Sequence, residues 1–178
     1  MVYDRFRHDL YPIIRPVILW HLVQFPGAHG LQNWHPLVVH FPIAFLTASV
    51  PIYFLAWILH REILEWVGLW LLGLGMAAAI VAVSTGLWAS TGVMVAPSVR
   101  THILVYHERL MLTVLALSIG LAGLALLARP MPRKGRTCFV VGLILMAVVL
   151  AKGADYGGWM VYSYNAGGSL PQPIEFSQ

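Results

Sequence analysis

Four stretches of this chain, residues 36–59, 66–99, 110–128 and 138–151, run almost without charge. A bilayer core about 30 Å thick takes roughly 20 apolar residues per spanning helix, so each of the first three is long enough to cross one. The fourth is short by that measure and must draw on residues 153–162. Composition agrees: 59% of the 178 residues are hydrophobic and 10% charged, against about half and about a quarter in a soluble domain. The reading is an all-α integral membrane protein, a four-helix up-down transmembrane bundle preceded by an N-terminal interfacial segment.

The remaining composition narrows the function. A single cysteine, Cys138, excludes an intramolecular disulfide and any CxxC metal or redox motif. The net charge of +4 rests mostly on loop arginines, which report topology and anionic headgroups rather than nucleic acid. Residues 1–33 form an N-terminal interfacial or partner-docking arm, of which residues 1–30 do not read as a cleavable signal peptide, because Pro12, Arg15 and Pro16 break the apolar run and no small-residue cleavage site follows. The run from Pro12 to Val23 reads as a short amphipathic helix in the interface plane, with Arg15 and His21 toward headgroups, or as an arm docked on a partner subunit. A turn at Pro26-Gly27-Ala28-His29-Gly30 leads into the bundle, residues 34–168, and residues 169–178, with Pro171 and Pro173, form an extended tail.

Within the bundle, Pro36 suits the first turn of the first helix, and Pro42 should kink it. Residues 59–65 make a tight polar turn. The second helix is rich in glycine, alanine and serine, which allow close packing, with Gly73 and Ala77 as a small-residue face. The loop between the second and third helices covers residues 91–100, and the third helix opens at Thr101. A proline-rich basic loop, residues 128–136, precedes the fourth. Arg61, Arg129, Arg133, Lys134 and Arg136 all lie in the two short turns. By the positive-inside rule those turns face the cytoplasm and both termini the periplasm, in a bacterial inner membrane.

Histidines mark the opposite end. His35 and His40 open the first helix, and His102 and His107, also five residues apart, open the third. If the helices start near Pro36 and Ile103, His40 and His107 both lie about 6 Å below the surface at 1.5 Å per residue. Two opposed imidazoles at equal depth are what axial ligation of a b-type haem needs. Ser84-Thr85-Gly86-Leu87-Trp88 and a Gly157-Gly158-Trp159 turn reach the same level, with Gly86, Gly157 and Gly158 making room for a macrocycle. Arg100, Arg109 or Lys152 can reach its propionates. His35 and His102 are shallower candidates for a second metal, for propionate donation, or for plain interfacial contact. Interfacial residence also accounts for His8, His21, His29 and His60, and an aromatic belt for Trp34, Trp88, Trp159, Tyr156, Tyr162 and Tyr164. Lys152 and Asp155, one turn apart, read as a structural salt bridge.

The motif His35-Pro36-Leu37-Val38-Val39-His40-Phe41-Pro42-Ile43-Ala44 resembles the HPxxVHFPIA signature of a bacterial family of four-helix membrane proteins, the domain of unknown function numbered twenty-two thirty-one. Thr85-Gly86-Leu87, His107 and Gly157-Gly158-Trp159-Met160-Val161-Tyr162 continue the likeness over residues 34–168. Some relatives are joined to cytochrome c domains, which implies respiratory electron transfer. This chain departs from them at Tyr164-Asn165-Ala166-Gly167-Gly168, where relatives usually carry a histidine before a GVG turn. The resulting expectation is a cytochrome-b-like subunit of a respiratory or photosynthetic complex. Haem b would sit between His40 and His107, passing electrons between quinone and a periplasmic partner such as a c-type cytochrome. The alternative is a non-catalytic accessory or anchoring subunit without its own cofactor.

Overall fold

The computed structural model describes residues 33–166. The interfacial arm expected before residue 33 and the tail expected from residue 169 lie outside the described residues. Among the described residues four helices are long and apolar enough to cross a membrane: α1 (His35–Leu59), α2 (Glu62–Gly92), α3 (Pro97–Ala128) and α4 (Arg136–Tyr164). No strand occurs among the described residues. The protein is an all-helical membrane bundle.

Prolines set where α1 and α3 start and where α1 bends. Pro36 lies in the first turn of α1, as expected, and the Asn33 side-chain oxygen accepts the His35 N–H at 3.1 Å. Helix α1 is interrupted at Val39, giving His35–Val38 and His40–Leu59. The cause is Pro42, which has no N–H for the Val38 carbonyl; the kink expected at Pro42 thus falls on the turn before it. Helix α3 begins at Pro97 rather than at Thr101, and the connection from α2 shrinks to residues 93–96. Its first turns widen into a π-helical segment, Arg100–Leu104, before the regular Val105–Ala128. Helix α4 runs unbroken to Tyr164, so Gly157-Gly158-Trp159 is helical and not a turn. Those extra residues supply the length that the apolar stretch before them lacked.

The helices pack in cyclic order, α1 on α2, α2 on α3, α3 on α4, and α4 back on α1. Buried positions recur every three or four residues: Pro42, Leu46, Ser49, Tyr53 and Ala56 on α1, and Val114, Ser118, Ala122 and Ala125 on α3. This is the seam of left-handed helix packing. Small residues do bring backbones close, but along Gly68, Gly75, Ala79 and Ala82. Gly68 lies under the Tyr53 ring and Gly75 under Leu46, whereas Gly73 has nothing near it. The Gly73 to Ala77 face expected to pack therefore looks outward, being out of phase with the seam.

The two tight connections share one end, here called the turn end. His60 takes a left-handed conformation, φ 53°, and α2 begins two residues later. Tyr53, fully buried, meets Phe139 edge-on at 4.9 Å and donates its hydroxyl to the Pro130 carbonyl at 3.2 Å. Arg136 donates to the Glu65 carboxylate at 2.8 Å, tying the start of α4 to the start of α2.

Candidate functional site

The apolar seam ends in polar groups at the other end of the bundle. On α1, stepping back seven residues from buried Pro42 arrives at His35. On α2, three and four residues beyond buried Ala82 come Thr85 and Gly86; on α3, His107 follows buried Ile103 and Leu104 and precedes Val114 by seven. On α4, Gly157 follows buried Gly153 by four. All four helices therefore direct one of these residues toward the bundle axis at this end.

His35 and His107 are both half-buried. They belong to diagonally opposed helices and lie at the same end of the bundle. His107 Nδ1 lies 2.8 Å from the Gly153 carbonyl oxygen. A carbonyl only accepts, so Nδ1 carries the proton and Nε2 keeps its lone pair. His35 Nδ1 lies 3.3 Å from Thr85 Oγ1. The Thr85 hydroxyl donates into its own helix, with the Val81 and Ala82 carbonyls at 2.9 and 3.0 Å. Toward His35 it is an acceptor, which again places the proton on Nδ1 and leaves Nε2 basic. Hydrogen bonding at one ring nitrogen while the other stays free is how proteins orient metal-ligating imidazoles.

Glycines shelve both rings. A Cβ on Gly86 would lie 2.8 Å from His35 Cε1, and one on Gly157 would lie 3.1 Å from His107 Cε1. The space expected for a macrocycle edge at these two positions is taken by the imidazoles themselves. Gly158 has only the Tyr162 ring near it, at 3.9 Å, and does not touch the histidines.

The other candidates lie elsewhere. His40 is exposed on the outside of α1: five residues turn a helix by about 500°, so His35 and His40 cannot both face the axis, and the seam selects His35. The equal-depth estimate for His40 and His107 took α3 to start near Ile103, whereas it starts at Pro97. His102 is exposed in the π-helical turn. Arg100 donates to the Ser90 and Val93 carbonyls at 3.1 and 2.7 Å, closing the α2–α3 connection. Arg109 is exposed, and so are Lys152 and Asp155. No ion pair joins the last two; among the described residues the ion pair is Arg136–Glu65. Sequence reasoning passed over Thr85 and the Gly153 carbonyl as hydrogen-bond partners. The seven-residue phase running from Ala56 through Ser49 and Pro42 to His35 was the available signal.

Residues 32–169 match the family described as "Predicted membrane protein (DUF2231)". The chain belongs to this family. The DUF2231 match takes in all four helices and the whole histidine end, including His35, Thr85, Gly86, His107 and Gly157. No curated protein and no solved structure matches the chain.

Proposed function

We propose that this DUF2231 protein is a cytochrome-b-like electron-transfer subunit in which His35 and His107, rather than His40, hold a haem b between α1 and α3. The observation that carries the reading is the pair of half-buried histidines at one end of diagonally opposed helices, each with Nδ1 satisfied by a neighbouring helix and Nε2 left with its lone pair. The number of ligands supports it as well. Among the described residues no group of three or more His, Cys, Asp or Glu side chains comes together, whereas a bare zinc site takes three or four protein ligands. Two imidazoles suit an ion whose other ligands arrive with it, as in a porphyrin.

When bound, the haem supplies one-electron chemistry. The chain's own part is to orient both imidazoles, keep their protons on Nδ1, and surround them with apolar helix. Electrons would pass between quinone and a redox partner such as a c-type cytochrome within a larger membrane complex. The basic turns would face the cytoplasm and the histidine end the periplasm of a bacterial inner membrane. The test is a visible spectrum of purified protein, oxidised and reduced. A Soret band and reduced α-band are expected, lost in His35→Ala and His107→Ala and kept in His40→Ala. Absence of iron and of both bands sinks the proposal.

One observation favours the accessory reading. Ala116 and Gly120 are exposed on α3, and a methyl group added at Gly120 or Gly123 would meet no other part of the bundle within 4 Å, so a small-residue face is open to another helix. Co-purification with larger subunits in fixed ratio, unaffected by loss of His35, would select it.

A further inference from the structure

The turn end holds a group of cations that the histidine site does not use. Arg61, in the α1–α2 turn, and Arg129, Arg133 and Lys134, in the α3–α4 loop, are all exposed. None has a carboxylate within 4 Å among the described residues, since the ion pair there is Arg136–Glu65. Glu62 is the remaining acid nearby, and its carboxylate accepts the Trp66 indole N–H at 3.3 Å. Four unpaired cations against one carboxylate leave a strong positive excess.

These cations do not sit on loose loops. Pro130, Met131 and Pro132 are buried in the end of the bundle, and the Pro130 carbonyl accepts the Tyr53 hydroxyl. The Arg136–Glu65 pair joins α4 to α2 beside it. The two turns are thereby tied to one another, and the three loop cations flank a buried proline plug that fixes where they emerge.

Their depth identifies the partner. Trp66 and Trp70 are exposed on α2, at 41% and 70%, about 6 and 12 Å from Glu62 at 1.5 Å per residue. Exposed tryptophans at the end of a span mark the membrane interface. Arg61 and the loop cations lie just beyond that level, where phosphate groups of lipid heads reside. A basic cluster at helix ends in this position is the kind of surface that attracts anionic lipid heads.

We propose that the turn end carries a binding site for the headgroup of an anionic phospholipid, formed jointly by Arg61, Arg129, Arg133 and Lys134. The site is independent of the histidine end and of its cofactor. The test uses the full chain in mixed micelles of phosphatidylglycerol and phosphatidylcholine, with retained lipid counted by native mass spectrometry. Phosphatidylglycerol should be retained in preference. The preference should fall about fivefold for each cation removed, as in Arg133→Gln and Arg129→Gln, which corresponds to the ~1 kcal/mol that a basic residue gains near an anionic surface. Arg133→Lys should keep most of it. Equal retention of the two lipids, or an unchanged preference in Arg61→Gln/Arg129→Gln/Arg133→Gln/Lys134→Gln that still unfolds at the wild-type temperature, overturns the proposal. So does displacement of the lipid by millimolar inorganic phosphate, which would make the site one for a soluble anion. Preferential capture of an acidic peptide over phosphatidylglycerol overturns it in favour of a protein partner.

Discussion

One methyl group separates the observed His35 position from a displaced one. Gly86→Ala would set a carbon 2.8 Å from His35 Cε1, inside van der Waals contact, so the ring must shift. Gly157→Ala meets His107 at 3.1 Å and is the milder change. Overpacking of this kind costs ~1–3 kcal/mol. Thermal unfolding should therefore rank Gly86→Ala below Gly157→Ala, and both below Gly73→Ala, whose site is open. The identity of the inward histidine was present in the sequence as phase, because His35 keeps a seven-residue step with Pro42 and His40 does not. Counting depth from assumed helix starts concealed it, since a start position carries an error of a turn while phase does not. The roles of Thr85 and Gly153 were not legible, because each acts through one atom placed by another helix.

At the scale of elements, hydropathy and punctuation residues located every span, and Pro36, Pro42 and the basic loop fell where backbone chemistry puts them. The π-helical turn Arg100–Leu104 left no comparable mark, since nothing in Arg100-Thr101-His102-Ile103-Leu104 forbids a regular helix. Nor did local charge spacing single out the ion pair that forms: Lys152 and Asp155 are neighbours along one helix and both are exposed, whereas Glu65 and Arg136 are 71 residues apart and meet through tertiary packing. Glu65→Ala strands a largely buried guanidinium. Removal of one partner of a buried pair costs ~3–5 kcal/mol, and the partial exposure of Arg136 puts this case at or below the lower end. The double variant Glu65→Ala/Arg136→Met should recover part of the loss, and denaturation of both variants in the same detergent measures it.

For the molecule as a whole, the lone Cys138 is a topology reporter supplied by nature. It is exposed in the first turn of α4, at the turn end. If the basic turns face the cytoplasm, an impermeant maleimide added to intact spheroplasts should leave Cys138 unlabelled, and permeabilisation should make it react. Labelling of intact spheroplasts would invert the assignment and place the histidine end inside. The interrupted backbone of α1 carries a separate consequence. Pro42 offers no N–H to the Val38 carbonyl, and Pro51, inside the same helix, offers none to Thr47. A carbonyl without its helical donor vibrates at higher frequency than its bonded neighbours. Isotope-edited infrared spectra with a label at Val38 should show an amide I band blue-shifted from one at Leu46, making the break in α1 audible as a change of pitch.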